Sequence, residues 1–358
     1  MPEIERIDAV RYDVPLKGAL AWGKGHELNA LDHVLITVTL SDGAQGMAES
    51  TPRPTIYGET QESVLAIVAD HFTPKIIGQV VNSLADIDSL DERVSIIKNN
   101  NTAKGALNMA LHSALAQSQG VSLASLLNVT KDAVRVSYIV STGGKDEVLS
   151  DVGAMFEAGV RVFKVKVGKA ILQEIATIAE LQNAFPSADF YVDANQCLTA
   201  ENAPDVLAEL HEMGVLYCEE ALPVHQLLER QSLHSQTHMP LIGDDSCFTA
   251  TDVERELAFD TVDIFNIKTA RNGFSEGRCI LNMARTANKG VMVGSQASSL
   301  LGCLHAALFS AQEGIDHATE CSFYLKTDIN PAHMPTLEEG YLSIASVTAS
   351  LDHDFLKA

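Results

Sequence analysis

Short apolar runs that each end in a polar or charged residue recur about every 25 residues through the second half of the chain. An early run ends at Ser141, and the next seven end at Lys166, Asp193, Glu219, Asp244, Lys268, Ser295 and Glu320. A unit of that length accommodates one strand, one helix and two loops, so the pattern predicts a (β/α) barrel. Because the carboxyl ends of barrel strands meet on one face, these end residues are the first candidates for a functional site.

The first third of the chain follows a different pattern. Residues 3–15 and 33–41 alternate apolar and polar positions as half-buried strands do, whereas residues 60–127 have the longer period of helices. Strands followed by helices predict a separate α+β domain. We place this domain at residues 1–130, ahead of the barrel at residues 131–322.

Three segments fall outside these two patterns. The tail, residues 323–358, contains one more strand-like run, YLSIASVTA, and has no barrel unit left to join. We expect it to return to the first domain. Residues 16–30 and 50–60 are rich in glycine and proline and lack periodicity, which is typical of lid loops. They contain Trp22 and Tyr57, whose rings are expected either to contact a substrate or to pack between the domains.

Charge and composition narrow the class of partner. The 358 residues include 25 lysines and arginines against 47 aspartates and glutamates, a net charge of −22. Such an acidic chain opposes binding to nucleic acids and to anionic membranes. The opening residues lack the layout of a signal peptide, and no run approaches about 18 consecutive apolar residues, so we expect a soluble cytoplasmic protein. The six cysteines form no C-x-x-C pair, which argues against a zinc site and a disulfide framework.

Carboxylates end three successive strands of the predicted barrel, at Asp193, Glu219 and Asp244. Any one of them alone is equally well explained as a solvated residue at the start of a loop. In a closed barrel, however, all three point at one spot, where bare carboxylates repel one another. A cation is therefore expected there, and an all-oxygen set without histidine or cysteine favours Mg²⁺, with Mn²⁺ as the alternative, over zinc.

Three lysines are placed to act on a substrate held at those carboxylates. Lys164 and Lys166 are two apart on one strand, so both face the barrel interior while their apolar neighbours face the helices. A like-charged neighbour and a nearby dication lower the pKa of a lysine, so we expect Lys164 to activate Lys166 as a base. Lys268 ends a strand across the barrel. Bases on opposite faces of a chelated carboxylate predict removal of its α-proton through a metal-stabilised enediolate.

Six ordered motifs over most of the chain resemble the enolase superfamily, specifically its muconate lactonizing enzyme subgroup beside mandelate racemase. They are FKVKVG (163–168), VDANQ (192–196), CEEALP (218–223), LIGDDS (241–246), NIKTARNGF (266–274) and VGSQASSLLG (293–302). The resemblance implies a modified (β/α)₇β TIM barrel with an N-terminal α+β capping domain, whose two loops close over the site and which the C-terminal tail completes.

The same resemblance implies a role for each motif residue. Asp193, Glu219 and Asp244 would bind Mg²⁺, Lys166 and Lys268 would be the acid and base, and Lys164 would be their electrostatic partner. Asn195 and Asp245 would orient a ligand or Lys268. Superfamily members with a Lys or His base and Mg²⁺ stabilise an enediolate, which is the chemistry expected here.

The substrate-binding strand ends depart from one branch of the subgroup. Dipeptide epimerases carry an Asp-x-Asp pair at the last strand for the substrate ammonium, whereas this chain reads ATECSFYL at 318–325, which argues against dipeptide epimerisation. Glu320 is the only acid there, and it either holds an amine or caps the strand. The other expected substrate contacts are Trp22, Tyr57, Ser141, Ser295 and Phe323.

The leading interpretation is an isomerase that racemises, epimerises or cycloisomerises a small carboxylate, either an amino acid derivative or a muconate-like acid. A dehydratase would use the same proton abstraction followed by β-elimination. Two other classes stay open: a Schiff-base aldolase, in which Lys166 or Lys268 attacks a carbonyl, and a homologue that binds a ligand without catalysis. We also expect a homo-oligomer.

Overall fold

A computed structural model of the protein describes residues 1–22, 26–328 and 334–351, and for residues 19–22 and 26–28 it describes the backbone alone. The chain folds into an N-terminal α+β cap and a barrel of parallel strands. The fold class predicted from the periodic pattern is thereby confirmed.

The cap begins with an antiparallel sheet whose strands are β1 (Ile4–Trp22), β2 (His26–Leu40) and β3 (Gln45–Ser50), in the order β1-β2-β3. Pairing between β1 and β2 resumes after an irregularity between Pro15 and Leu20 and continues to Trp22, opposite His26. The described parts of the stretch 16–30 therefore belong to two paired antiparallel strands and not to the irregular loop expected from its glycines. Backbone hydrogen bonds between β1 and β2 set the register of the pair, and the pairing continues into a segment whose side chains alone do not predict a strand.

The described part of the cap also contains the helices α1 (Gln61–Ile67), α2 (Thr73–Ile76), α3 (Leu84–Ser95), α4 (Asn101–Ser118) and α5 (Leu123–Leu126). A π-helical turn, Val68–Phe72, joins α1 to α2. The buried helix α4 packs directly on β3, where a Cβ atom on Gly46 would overlap the carbonyl oxygen of Ala110. Only glycine allows this approach of helix to sheet.

The barrel alternates strands and helices as the period predicts. Its parallel strands are β5 (Ser137–Ile139), β6 (Val162–Lys166), β7 (Asp189–Asp193), β8 (Cys218–Glu219), β9 (Leu241–Gly243), β10 (Ile264–Ile267) and β11 (Gly290–Val293). The helices are α6 (Lys145–Glu157), α7 (Ile171–Ala184), α8 (Ala203–Glu212), α9 (Leu227–Gln236), α10 (Ala250–Phe259), α11 (Thr269–Thr286) and α12 (Leu300–Ser310). Within the described ranges, none of the helices has the length and apolarity needed to cross a bilayer.

Residues 318–320 close the barrel as an eighth strand. The Glu320 amide donates to Val293 of β11 at 2.9 Å, and the Thr319 carbonyl accepts from the Ser137 amide of β5 at 2.8 Å. A single 3-10 turn, Phe323–Lys326, follows in place of an eighth helix. This is the arrangement of a (β/α)₇β barrel.

The tail divides its contacts between the cap and the barrel. Asp328 donates its amide to Pro15 of β1 at 2.9 Å. Further on, β12 (Leu337–Glu338) and β13 (Tyr341–Ser343) form a small antiparallel sheet with β4 (Ala133–Arg135), and α13 (Ile344–Leu351) packs against α12. The strand-like run YLSIASVTA is thus mostly helical, because Ile344 and Val347 are spaced to bury one helix face.

Two buried histidines lie where the cap meets the barrel. The rings of His112 on α4 and His305 on α12 both contact Phe274 of α11 edge-on, with centroids 5.4 and 5.6 Å apart. Burial lowers the pKa of each histidine to about 4. In the unfolded chain these histidines therefore become protonated below a pH of about 6.5, whereas in the folded protein they stay neutral down to about pH 4.

The two histidines are expected to lower the free energy of unfolding as pH falls through that window. Because other groups titrate there as well, the measurement is a comparison: urea midpoints at pH 7.0 and 5.0 for wild type and for His112→Gln/His305→Gln. The pH-dependent loss should be smaller in the double variant, whereas His71→Gln, at an exposed position, should leave it unchanged. An equal loss in all three proteins would contradict the assignment.

Candidate active site

Five predicted residues lie at one end of the barrel. Lys166, Asp193 and Glu219 are the last residues of β6, β7 and β8 and are direct neighbours in strand register. Asp244 follows β9 and Lys268 follows β10 without an intervening residue. The backbone thus brings these five residues to the carboxyl ends of neighbouring strands, as expected from the sequence.

Lys164 is enclosed by carboxylates inside the barrel. Its side chain is 3% exposed, and its Nζ lies 3.0 Å from Asp193 Oδ2, 2.8 Å from Glu219 Oε1 and 2.8 Å from Glu320 Oε1. Burial disfavours the ammonium, but these carboxylates outweigh burial and raise the pKa of Lys164 well above its usual range. Lys164 therefore supplies a fixed positive charge beneath the site.

Lys166 reaches further toward the barrel mouth. Its Nζ lies 2.5 Å from Asp193 Oδ2 and 2.8 Å from Asn195 Oδ1, and its side chain is 20% exposed. It lines a cavity of about 540 Å³ together with Ser141 and Asn195. Of the two lysines on β6, Lys166 is thus the one that a ligand can approach.

Lys268 and Arg271 both bind the carboxylate of Asp244, and Arg271 had no role in the sequence-based prediction. Lys268 Nζ lies 2.6 Å from Asp244 Oδ2, and Arg271 Nη1 donates to Asp244 Oδ1 at 3.0 Å. Burial opposes ionisation of Asp244, but the two cations hold its pKa below the usual range. Arg271 Nη2 also donates to the carbonyls of Asp244, Cys247 and Asn266, and its guanidinium stacks 4.5 Å from the Phe248 ring centre. Arg271 thereby fixes both the carboxylate and its loop.

The donor set at these strand ends fits a hard dication. Burial raises the pKa of Glu219 well above its usual range, and the charges of Asp193 and Asp244 add to it, while Lys164 opposes. Further positive charge would stabilise the ionised form of Glu219. In the described ranges, no group of three or more acidic, histidine or cysteine side chains is arranged to hold an ion as it stands. Each of these three carboxylates has an oxygen within 2.8 Å of a lysine ammonium.

Glu320 is buried beneath the mouth and its oxygens are already bonded. Oε1 accepts from Tyr191 at 2.8 Å and pairs with Lys164, while Oε2 accepts from the Ser295 amide at 2.7 Å. The whole residue is 2% exposed. The option that Glu320 holds a substrate amine is therefore not supported; its contacts are those of a strand-end residue that stabilises Lys164.

The loop at 50–60 is tied to the end of the seventh barrel strand. Tyr57 donates its hydroxyl to Gln296 Oε1 at 2.6 Å, and its ring lies 5.3 Å from that of Phe248. The buried Arg53 donates to the Gln296 carbonyl at 3.0 Å. Tyr57 thus packs between cap and barrel. Phe323 is 3% exposed in the hydrophobic core, and the side chain of Trp22 lies outside the described residues.

The other predicted contacts have defined places. Asn195 accepts a hydrogen bond from Lys166 with its side-chain oxygen, and its backbone N–H donates to Asp193 Oδ1 at 2.8 Å. Asn195 therefore positions both groups. Asp245 accepts from Gln196 Nε2 at 2.7 Å. Ser141 stands at the mouth on the β5 side. Ser295 accepts the Ala297 amide at 3.0 Å with its hydroxyl oxygen.

Four non-glycine residues near the same strand ends have left-handed backbone conformations. The φ angles of Asn195, Gln196, Glu220 and Ala297 are 42°, 63°, 40° and 55°. Such conformations cost about 1–3 kcal/mol each and persist where surrounding contacts impose them, commonly at functional sites. At Glu220 the contacts are visible: its carboxylate accepts from Arg230 at 2.9 Å and from the Asp244 amide at 2.8 Å.

Comparisons with known proteins agree with this geometry. Residues 147–347, more than half of the chain, match the family model for the enolase C-terminal domain-like region. Residues 19–128 match the model for the N-terminal domain of mandelate racemase and muconate lactonizing enzyme. The chain belongs to the mandelate racemase/muconate lactonizing enzyme family. It is an isomerase of that type, and membership of the family implies a divalent metal ion.

Similar members of the mandelate racemase/muconate lactonizing enzyme family include muconate lactonizing enzymes and epimerases. The structure of muconate lactonizing enzyme from Mycobacterium smegmatis, complexed with muconolactone, matches with a TM-score of 0.90 at 30% identity, covering 95% of this chain and 94% of that chain. L-Ala-D/L-Glu epimerase from Bacillus subtilis is 29% identical over 341 residues, 91% of this chain and 90% of the relative. L-Ala-D/L-Glu epimerase from Francisella tularensis subsp. novicida is 27% identical over 320 residues, 88% and 89% of the two chains.

One polar residue at these strand ends was missed by sequence reasoning. Arg271 carried a signal, since it lies three residues after Lys268 and one helical turn places both near Asp244.

Proposed function

We propose that the protein removes the proton α to the carboxylate of a small acid with Mg²⁺ bound, and returns it to racemise or epimerise that centre. The observation that carries this proposal is the placement of two lysines around the carboxylates. Lys166 ends β6 and Lys268 follows β10, with Asp193, Glu219 and Asp244 on the strands between them. A carbon held above those carboxylates has an ammonium or amine on each side.

Asp193, Glu219 and Asp244 would hold the metal ion. When bound, Mg²⁺ supplies positive charge that stabilises the enediolate form of a chelated carboxylate. The lysines exchange the proton: the neutral amine of one accepts it from one face, and the ammonium of the other donates to the opposite face. Lys164 holds Asp193, Glu219 and Glu320 in place, and its positive charge stabilises negative charge on a substrate bound at the strand ends.

The bonding of Glu320 bears on the substrate class. Dipeptides carry a free α-ammonium, and at the last strand of this chain the one carboxylate, Glu320, is occupied by Lys164, Tyr191 and Ser295. This favours acids without a free amine, such as N-acyl amino acids or muconate-like acids. The names of the 27–29% identical epimerases favour dipeptides instead, so both groups belong in the test.

A screen for α-proton exchange in D₂O tests the proposal. Proton NMR should show loss of the α-signal for at least one member of a panel of N-acetyl amino acids, dipeptides, muconolactones and sugar acids. EDTA should stop exchange and Mg²⁺ should restore it. Exchange that persists in EDTA, or trapping of a lysine adduct by borohydride, would contradict the proposal in favour of metal-free or Schiff-base chemistry.

A further inference from the structure

The helix that follows Lys268 is interrupted at Gly273. The φ and ψ angles of Gly273, 63° and −166°, lie outside the helical range, so α11 consists of one turn directly after Lys268 and a longer piece that starts at Phe274. The carbonyl of Lys268 accepts from the amides of Arg271 and Asn272, at 3.0 Å each, and closes that turn. The proposed base and Arg271 therefore stand on one isolated turn ahead of the break.

Asn108 of the cap accepts hydrogen bonds at this break. Its side-chain Oδ1 accepts from the Phe274 amide at 2.7 Å and from the Ser275 amide at 3.3 Å. The first amides of a helical piece have no acceptor within that piece, and an asparagine just ahead of it commonly caps them. Here the capping asparagine comes from α4, in the other domain. A Cβ atom at Gly273 would overlap the Asn108 side chain, so both this contact and the positive φ require glycine.

The other end of the Asn108 amide fixes its orientation. Asn108 is 3% exposed, and its Nδ2 donates to Asp91 Oδ2 of α3 at 2.5 Å and to Ser275 Oγ at 3.0 Å. One turn earlier on α4, a side chain at Gly105 would come too close to the carbonyl of Ala270. Helix α4 therefore packs on both sides of the break, against the short turn through Gly105 and against the longer piece through Asn108.

We propose that Asn108 is a positioning residue for the reaction: it fixes the turn that carries Lys268, and with it the direction from which Lys268 reaches the α-carbon. This inference rests on the proposed function for the role of Lys268. The other proposed base, Lys166, is held by Asp193 and Asn195 of the barrel. Loss of the Asn108 contact should therefore impair one base and largely spare the other.

Asn108→Leu, which keeps the size of the side chain but neither accepts nor donates, tests the inference by two measurements on the full chain. Without Mg²⁺ or substrate, hydrogen–deuterium exchange followed by mass spectrometry should be about fivefold or more faster at the amides of Phe274 and Ser275. With Mg²⁺ and the acid found by the exchange screen, α-proton exchange should fall about 10²-fold for the enantiomer that Lys268→Ala loses. Exchange of the other enantiomer should fall less than about tenfold.

Two further variants separate positioning from a general loss of stability. Asp91→Asn/Asn108→Asp exchanges the two groups, keeps an oxygen for both amides and keeps a hydrogen bond between positions 91 and 108. It should exchange both enantiomers within about threefold of wild type, because asparagine and aspartate cap equally well. Asp88→Ala is the control: Asp88 of α3 also joins cap to α11, but through the side chains of Ser275 and Arg278, so the ratio of the two enantiomers should not change.

Unchanged amide exchange at Phe274 and Ser275 in Asn108→Leu, or an equal loss for both enantiomers, overturns the inference. Asn108→Ser, whose shorter side chain does not reach both amides, gives the same two readouts in case Asn108→Leu does not fold. The amide measurement needs no turnover, so the two proposals fail separately. A wild type that exchanges the α-proton of no acid overturns the proposed function, while the amide measurement still decides whether Asn108 fixes the turn.

Discussion

Replacing Lys268 with alanine should lower the rate of racemisation by about 10²–10⁴-fold in both directions, and Lys166→Ala should do the same. Each direction of a two-base reaction needs one lysine to accept the proton and the other to donate it. The measurement is kcat/KM from chiral chromatography, at saturating Mg²⁺, with the acid found by the exchange screen. Lys268→Arg separates the two roles of this side chain, because arginine keeps the charge beside Asp244 but does not act as a base.

Lys169→Ala is the matched control for this pair of variants. Lys169 is exposed, follows β6 by three positions and lines the cavity without a proposed role. Its removal should leave kcat/KM within about twofold of wild type. A Lys268→Arg variant as active as wild type would contradict the base assignment and leave Lys268 with an electrostatic role only.

Replacing Lys164 with methionine should destabilise the protein by about 3–5 kcal/mol in EDTA, because the substitution leaves Asp193, Glu219 and Glu320 buried without their shared cation. Urea denaturation followed by circular dichroism gives the free energy of unfolding. Adding Glu320→Gln to this variant removes one of the uncompensated charges and should restore part of the loss.

Lys145→Met gives the surface comparison for that experiment. Lys145 pairs with Glu180 at 3.0 Å, and both side chains are about half exposed, so its loss should change stability by less than about 1 kcal/mol. A Lys164→Met variant as stable as Lys145→Met would show that the buried carboxylates do not depend on this ammonium.

The barrel and the five strand-end residues were predictable from sequence because both follow from local periodicity. A strand ends where its apolar run ends, and parallel strands place those ends on one face; Asp193 and Glu219 are neighbours for that reason alone. The closing strand at 318–320 was identified in the same way. No knowledge of side-chain contacts is needed for either inference.

The contacts that set charge within the site were not predictable, because they join residues far apart in sequence. Lys164 was expected to act on Lys166 as a like-charged neighbour, yet its ammonium is enclosed by Asp193, Glu219 and Glu320. Glu320 could have faced a substrate or the barrel interior, and the direction of its side chain depends on Tyr191 and Ser295. The extended backbone of the described residues in 16–30 likewise depends on pairing between β1 and β2 and not on local propensity.

The two-base reaction is tested most directly by following each enantiomer separately in D₂O by proton NMR with wild type, Lys166→Ala and Lys268→Ala. Wild type should exchange the α-proton of both enantiomers. Each variant should still exchange one enantiomer, a different one in the two variants, because the remaining lysine reaches only its own face of the α-carbon. Exchange of both enantiomers by either variant, or loss of the same enantiomer in both, would contradict the placement of Lys166 and Lys268 on opposite faces of the substrate.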